Sequence, residues 1–474
     1  MHLIPAGKNR FKLPRQGKMK VDGIVYLNDK LFRHIYRDNS LKQLANAASL
    51  PGVVRNVFGM PDIHQGFGLP IGGVMATAVP EGVISAGAVG MDINCGVRLI
   101  TTNLSREDVN RRILENLIEA IEYFVPTGIG KKSRRGEFKR DLFLKILHHG
   151  VPVLIDEGFG WKEDASFIEE NGCLPGAKSE AVSSEAMKRG ASQLGTLGGG
   201  NHFIEIQFVE EVYDQETASR FGFRENQILV MIHTGSRGFG HQICTDYTKI
   251  LYKAGKNYGI EIPDKGLSCA PINSPEGKAY YAAMACAVNF AFCNRQLITH
   301  DVRRAFQEVF QKSATELEMK IVYDVAHNIA KFEQHREGKL LVHRKGATRA
   351  LPPYHPTNPP VYRETGHPVL IPGSMGTASY VLVGTPKAEE PFFSVNHGAG
   401  RVLSRTAAEK EISKEELKAS MQGVVFDEKA YHLLLDEAPA AYKNIDDVVD
   451  TLAEIDFVKK VTRLRPLAVI KGKD

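Results

Sequence analysis

The stretch "GMDINCGVRL", residues 90–99, places a carboxylate and a thiol three positions apart, Asp92 and Cys95, with glycines on both sides. It lies within residues 52–101, where apolar runs alternate with glycine and proline, a pattern typical of short strands joined by tight loops. Most cysteines of intracellular proteins are buried and inert, so Cys95 is either a core residue or half of a metal site. The remaining sequence decides between these two interpretations.

Helix-like and strand-like segments follow one another in irregular order along the rest of the chain. The predicted helices are 105–124, 275–318 (one long helix or two shorter ones) and 413–421. Ser105 is the predicted N-cap of the first, and Ser413 with Glu416 forms a capping box at the start of the last. The strand candidates are 202–213, 227–236 and 391–400. This order predicts an α+β fold rather than a regular βαβ winding.

The composition is that of a globular protein, with 474 residues of which 43% are hydrophobic and 24% charged. Length alone predicts about three domains. The sequence contains no apolar run long enough to span a membrane, and its basic N-terminus lacks the apolar core of a signal peptide. We therefore expect a cytoplasmic protein. The six cysteines form no CxxC pair, and Cys286 and Cys293, in an apolar helical stretch, are predicted core residues.

Positive charge is concentrated in two runs, although the net charge is only +5. They are "KNRFKLPRQGKMK" (8–20) and "KKSRRGEFKR" (131–140). Either run is compatible with a solvated surface or with a groove that binds a polyanion, and the runs alone favour the solvated surface.

Metal-competent side chains recur where apolar strand-like runs meet glycine-rich loops. His202, His233 and His327 occur in "GTLGGGNHFIEI" (195–206), "MIHTGSRGFGH" (231–241) and "YDVAHNIA" (323–330). Singly, each histidine is more often structural. Together with Asp92 and Cys95 they form a set that can hold one divalent transition ion, or two bridged by sulfur. Thiolate favours zinc by ligand type, but manganese, cobalt and iron remain open.

Three glycine-rich loops offer backbone N–H groups to an anion: "GTLGGGNH" (195–202), "PGSMGTAS" (372–379) and "HGAGR" (397–401). Such loops are as often tight turns as phosphate sites. The segment "GIGKKS" (128–133) imitates a P-loop but lacks the first glycine at the required spacing. A dinucleotide-binding fold is also disfavoured, because no GxGxxG follows a strand with an acid about 20 residues further on.

The combined motifs resemble the RtcB family of RNA-splicing ligases. They occur in one order, from about residue 50 to the C-terminal "LRPLAVIKG": "MPDIHQGFGLPIGG", "GMDINCGVRL", "GGGNHFIE", "HTGSRG", "AHN", "PGSMGTASY" and "HGAGRVLSR". The resemblance implies a single compact catalytic unit spanning residues 1–474, which replaces the three domains predicted from length. It also implies that an RNA 2′,3′-cyclic phosphate or 3′-phosphate end is joined to a 5′-hydroxyl, with GTP and two Mn²⁺ ions as cofactors.

The same resemblance assigns roles to individual residues. Asp92, Cys95, His202, His233 and His327 match the metal ligands, with Cys95 as the bridging thiolate. His397 matches the histidine that becomes guanylylated, and Asp62, Arg189 and Arg237 match positions tied to catalysis or to binding of the RNA ends. The nucleotide-binding positions are Asn201, His202, Phe203, Ile204, Glu205, His327, Asn328, Gly373, Ser374, Met375, Ser379, His397, Gly398, Ala399, Gly400, Tyr442 and Lys471.

Two other classes of function remain as alternatives. A metal-dependent phosphohydrolase or cyclic phosphodiesterase acting on RNA ends would use the same metals, but would need neither a nucleophilic His397 nor a guanine-side Lys471. A non-enzymatic RNA-binding protein would need the basic runs but not five metal ligands. For the ligase, the expected partner is RNA (tRNA halves or cleaved RNA ends), and we expect a monomer. An archease-type activator is a candidate second partner, and the sequence leaves open whether one is required.

Overall fold

A computed structural model describes residues 1–427, 431 and 434–472 of the chain. Its strands are β1 (Ile4–Pro5), β2 (Arg10–Leu13), β3 (Asp22–Tyr26), β4 (Asn56–His64), β5 (Ile71–Ala78), β6 (Val83–Ser85), β7 (Gly96–Ser105), β8 (Phe203–Val212), β9 (Gln227–Thr234), β10 (Cys269–Pro271), β11 (Ile321–Ala326), β12 (Asn328–His335), β13 (Gly338–Lys345), β14 (Ala347–Arg349), β15 (Val369–Ile371), β16 (Ser379–Gly384), β17 (Ser394–Asn396) and β18 (Val458–Lys471).

The α-helices of the described residues are α1 (Asp29–Phe32), α2 (Ser40–Ala47), α3 (Arg111–Phe124), α4 (Arg140–His149), α5 (Val151–Asp156), α6 (Ser184–Gln193), α7 (Gln215–Arg220), α8 (Arg237–Asn257), α9 (Pro275–Phe310), α10 (Arg405–Glu411), α11 (Lys414–Ser420) and α12 (Ile445–Ala453). Within the described residues, no helix is both long and apolar enough to cross a membrane.

Two seven-stranded sheets form the framework. The first has the order β1-β2-β3-β4-β5-β13-β12 and is antiparallel except for the parallel pair β3–β4. The second, β11-β7-β9-β8-β18-β16-β15, is antiparallel throughout. Two short ribbons, β6–β10 and β14–β17, complete the pairing. Antiparallel sheets covered by separate helices confirm the predicted α+β class.

The long helix α9 runs through the core as one element of 36 residues, so the stretch from 275 is not divided into two helices. Ser274 caps its start by accepting a hydrogen bond from the N–H of Gly277, with proline at the first helical position. Because its apolar residues lie on all sides, most of the helix is buried. Cys286 and Cys293 are both fully buried in it, which confirms the prediction that they are core residues.

The predicted helix ends are only partly right. Ser413 and Glu416 form the expected capping box of α11. Ser105, however, caps a single 3₁₀ turn with Asp108, and α3 begins later, capped by the Asn110 side chain. Asn110 is the N-cap of α3 because its carboxamide oxygen accepts a hydrogen bond from the N–H of Ile113, at 3.0 Å. It also lies nearer than Ser105 to the apolar residues of the helix.

The strand predictions hold for two of the three candidates. β8 and β9 fall inside the predicted 202–213 and 227–236. The third candidate, 391–400, contains only the three-residue β17, because the following "HGAG" turns away from the sheet.

The second sheet brings the ends of four strands to one edge. The strands β11, β7, β9 and β8 are adjacent in this sheet. Ala326 lies opposite Gly96, Gly96 opposite Thr234, and His233 opposite Phe203. Residues just outside or at these ends therefore meet, although they are far apart in sequence. This edge carries the candidate site.

Candidate metal and nucleotide site

The five predicted metal ligands converge at the edge formed by β11, β7, β9 and β8. The Cys95 Sγ lies 3.3 Å from the Nε2 of His233 and 3.5 Å from the Nε2 of His202. His202 Nε2 lies 2.8 Å from a carboxylate oxygen of Asp92, and the Nε2 atoms of His233 and His327 are 3.3 Å apart. Five electron-pair donors thus point toward one another in a buried region.

The donor atoms fall into two groups of three that share Cys95. One group contains Cys95, His233 and His327, and the other contains Asp92, Cys95 and His202, with the ligand atoms of each within 4.8 Å of one another. A shared thiolate between two triads is the arrangement that a pair of divalent cations bridged by sulfur requires. The residues present therefore fit a two-metal centre.

Backbone geometry explains how the loop brings Asp92 and Cys95 together. The N–H of Cys95 donates to the carbonyl of Asp92, at 2.9 Å, and Asn94 between them has a left-handed φ of 51°. A Cβ at Gly235, the residue after β9, would collide with the Asp92 carboxylate. Glycine at this position therefore lets the end of β9 lie against Asp92. The N–H of Ser236 donates to the same carboxylate at 2.9 Å.

The electrostatics of the cluster suit cation binding. Burial lowers the pKa of both His233 and His327 well below the ordinary histidine value, which keeps the rings neutral and able to ligate. Burial and the nearby Asp92 carboxylate raise the pKa of the Cys95 thiol. A bound divalent cation is the group that would offset this and stabilise the thiolate.

The half-buried His397 pairs with the buried Asp62 beside the cluster. The Nδ1 of His397 lies 2.6 Å from the Asp62 carboxylate, and the backbone N–H of His397 donates to the same oxygen at 3.0 Å. The rings of His397 and His327 are 4.9 Å apart between centroids. Gly400 has a φ of 74°, and a Cβ there would collide with the carbonyl oxygen of Asp62, so the "HGAG" turn packs directly on β4.

The predicted guanine-side residues Tyr442 and Lys471 meet at a carboxylate that the sequence did not single out, Glu437. The Tyr442 hydroxyl donates to Glu437, and the Lys471 ammonium lies 3.5 Å from the same carboxylate. Arg401 also pairs with it, at 3.3 Å. Although burial alone would raise the pKa of Glu437, the neighbouring cations hold it below its ordinary value. Glu437 lies in "LDEAPAAY", outside every quoted motif. The sequence signal that could have found it is its position five residues before Tyr442.

A second buried carboxyl, Glu205, lies on β8 one residue after the buried Ile204. The positive charge of Lys471 acts to lower the pKa of this carboxyl. Burial raises the pKa of Glu205 to about 8. The Gln207 amide donates to Glu205 and, at 3.1 Å, to the Ser379 hydroxyl. Glu205 Oε1 makes no hydrogen bond within the described residues, and an unpaired buried acceptor is the feature a polar ligand satisfies.

Other predicted nucleotide-binding residues hold the surrounding loops. Asn328 donates to the carbonyl of Asp92 at 3.0 Å and accepts from the N–H of Gly346 at 2.8 Å. The side-chain oxygen of Asn201 lies 3.3 Å from the Tyr442 hydroxyl. Phe203 packs its ring against His233. The loop residues Gly373, Ser374, Met375, Gly398 and Ala399 are buried around these groups.

The two predicted arginines differ in position. The Arg237 guanidinium lies 3.2 Å from the Nδ1 of His202, whereas the other ring nitrogen, Nε2, faces Asp92 and Cys95. Arg189 lies on the exposed side of α6 and pairs with Glu185 at 3.0 Å. Arg237 therefore belongs to the site as described, whereas Arg189 lies on the surface nearby and contacts none of the five donors.

Comparison with known proteins gives the same family that the motifs resemble. A family model described as tRNA-splicing ligase RtcB matches residues 43–472. The chain is 48% identical over 473 residues to the tRNA-splicing ligase RtcB of Thermococcus kodakarensis, covering 98% of both chains. It is 49% identical over 472 residues to that of Archaeoglobus fulgidus, covering 98% of this chain and 97% of the relative. The chain therefore belongs to the tRNA-splicing ligase RtcB family.

Proposed function

We propose that this protein is an RNA ligase that joins 3′-phosphate or 2′,3′-cyclic phosphate ends to 5′-hydroxyl ends, using GTP and two Mn²⁺ ions. The observation that carries the proposal is the His397–Asp62 pair beside two donor triads that share Cys95. A histidine nucleophile and a two-metal centre are the parts that nucleotidyl transfer needs. The names of the relatives support tRNA splicing as its setting.

His397 is positioned as the nucleophile by Asp62. Because the carboxylate accepts a hydrogen bond at Nδ1, the ring carries its proton there and the Nε2 lone pair is free. His397 Nε2 then attacks the α-phosphorus of GTP, the N–P bond forms, and pyrophosphate leaves. The product is GMP joined covalently to His397.

The GMP passes from His397 to the RNA 3′-phosphate, which regenerates the histidine and activates the RNA end as a 3′,5′-diphosphate linkage to guanosine. Attack by the RNA 5′-hydroxyl then forms the phosphodiester and releases GMP. A 2′,3′-cyclic phosphate is first hydrolysed to the 3′-phosphate by water. When bound, the two Mn²⁺ ions neutralise phosphate charge and activate water. The Arg237 guanidinium beside His202 adds a fixed positive charge at the same place.

Manganese is proposed from the family resemblance and not from ligand type, since thiolate alone favours zinc. Glu205, Lys471 and Tyr442 supply polar groups for the purine of the nucleotide. The natural RNA is proposed to be tRNA halves or cleaved RNA ends. A cytoplasmic monomer assisted by an archease-type activator is the setting we propose.

The test is incubation of the purified protein with MnCl₂ and GTP labelled at the α-phosphate, followed by denaturing electrophoresis. We expect labelled protein from the wild type and none from His397→Ala, with metal content unchanged. The His397→Ala variant should still seal RNA that already carries the activated 3′ end.

The outcome separates the three classes of function. A phosphohydrolase or cyclic phosphodiesterase would convert RNA ends without a covalent GMP adduct, and an RNA-binding protein would do neither. An adduct that persists in His397→Ala would assign the nucleophile to another residue.

A further inference from the structure

Two basic runs with six cations each have different surroundings in the folded protein. The run 8–20 contains six cations, Lys8, Arg10, Lys12, Arg15, Lys18 and Lys20. The run 131–140 also contains six, Lys131, Lys132, Arg134, Arg135, Lys139 and Arg140. The number of cations does not distinguish them, and only the second run contains an acid, Glu137. Their partners in the structure therefore decide which one is available to an anionic ligand.

The N-terminal run is largely neutralised by the protein itself. Lys8 pairs with Glu454 at 3.3 Å, and Arg10 with Glu390 at 2.7 Å. Lys12 pairs with Asp22 at 2.7 Å, and Lys18 with Glu261. Four of its six cations therefore have carboxylate partners, which reduces the field available to a polyanion.

The second run is left with uncompensated charge. Arg135 pairs with Asp301. The other five cations are exposed, and none of them has a carboxylate within ion-pair distance in residues 1–427, 431 and 434–472. Arg134 lies over the ring of Tyr123, 5.2 Å from its centroid, and that ring is 63% exposed. Clustered free cations with an accessible aromatic ring are typical of surfaces that bind single-stranded nucleic acid.

The position of this run links it to the candidate site. The segment just before the run is fixed by a hydrogen bond in which the N–H of Gly128 donates to the carbonyl of Gly198, at 2.9 Å. A Cβ at Gly198 would collide with the Arg237 guanidinium, so the two are in direct contact. Arg237 in turn lies against His202. A second anchor joins the N–H of Ser133 to the carbonyl of Ser192, at 2.8 Å, beside the helix that carries Arg189.

We propose that the exposed basic patch formed by Lys131, Lys132, Arg134, Lys139 and Arg140 binds the phosphate backbone of an RNA strand whose end lies in the metal site. The segment that carries the patch is hydrogen-bonded to the glycine loop at Gly198 and to α6 at Ser192, so a strand leaving the site would pass beside it. The inference rests on the proposed ligase function for the identity of the ligand. Contacts to phosphate are independent of base sequence, so the patch adds affinity for any RNA.

The test uses two matched triple variants of the full chain. Lys131→Gln, Lys132→Gln and Arg134→Gln together remove three charges from the patch, and Lys8→Gln, Lys12→Gln and Lys18→Gln remove three from the paired run. Affinity for a labelled single-stranded RNA with a 3′-phosphate is measured by fluorescence anisotropy over a series of salt concentrations. Formation of the GMP adduct is measured in parallel, because it needs no RNA and reports an intact site.

For the patch variant we expect affinity to fall on the order of tenfold or more at physiological salt, and the slope of log affinity against log salt to become shallower by about 2. The paired-run variant should differ little from wild type, and adduct yield should be unchanged in both. Equal losses in the two variants, or an unchanged salt slope, would overturn the proposal. Unchanged RNA affinity would also overturn it and would leave an acidic protein surface as the partner of the patch.

Absence of the GMP adduct in wild type would refute the ligase function instead. The RNA-binding comparison would remain interpretable, because it requires no turnover.

Discussion

The donor cluster, here called the metal end, and the Glu437 cluster, here called the base end, have opposite electrostatic arrangements. At the metal end, made of Asp92, Cys95, His202, His233 and His327, electron-pair donors face one another. At the base end, made of Arg401, Glu437, Tyr442 and Lys471, the buried Glu437 carboxylate already has three cations, Arg401, Arg405 and Lys471, and the Tyr442 hydroxyl as partners. The donor set of the metal end is therefore suited to added cations, whereas the base end already contains its cations as side chains.

This difference predicts how each end responds to a single substitution. Loss of one donor at the metal end affects both triads if the donor is shared, so the result is failure of binding. Loss of one group at the base end leaves other partners in place, so the result is a change in selectivity. The substitutions below test this contrast from the largest expected effect to the smallest.

Cys95→Ala should abolish both metal retention and formation of the GMP adduct, because the same sulfur belongs to both triads. Metal content after dialysis against MnCl₂, by mass spectrometry, and adduct yield are the measurements. Cys286→Ala, which removes a buried thiol from α9 away from the donors, is the matched control and should retain both. Near-normal adduct formation by Cys95→Ala would show that the sulfur does not bridge two ions.

Asp62→Asn should leave metal content intact and slow adduct formation by about 10²–10⁴-fold. The carboxamide can present its NH₂ group to His397 Nδ1, which favours the tautomer with the proton on Nε2 and removes the nucleophilic lone pair. The rate of adduct formation at saturating GTP is the measurement, with metal content as the control. A rate within a few-fold of wild type would mean that Asp62 does not set the tautomer.

The donor cluster of the metal end was largely predictable from sequence, because its five side chains lie at the ends of strands and are few in type. Asp92, Cys95 and three histidines were each marked by a glycine loop or an apolar run. What the sequence could not supply was their division into two triads, since that follows from the neighbours β11, β7, β9 and β8 in the sheet. Sheet order depends on long-range pairing that no local pattern encodes.

The base end was less predictable for a physical reason. Glu437 lies in a 3₁₀ turn without strand or helix periodicity, and its partners Arg401 and Lys471 are 36 and 34 residues away. The ionic cluster is therefore a product of tertiary packing. Arg295 was missed in the same way: within the predicted core helix, its guanidinium donates to the carbonyls of Asn94 and Thr234 beside the metal loop.

Lys471→Ala should weaken the preference for GTP over ATP more than it slows the chemistry. A lysine ammonium can donate to the guanine O6, whereas the amino group of adenine at that position is itself a donor. Loss of one such contact costs about 1–3 kcal/mol, which corresponds to roughly 5- to 150-fold in selectivity. Glu437 would keep Arg401 and Tyr442 as partners, so the fold of the base end should survive.

The measurement is adduct yield against concentration of GTP and ATP for wild type, Lys471→Ala and Lys459→Ala, an exposed lysine on the same strand. The control should match wild type, and an unchanged preference in Lys471→Ala would leave base recognition to Glu205, Ser379 and Tyr442.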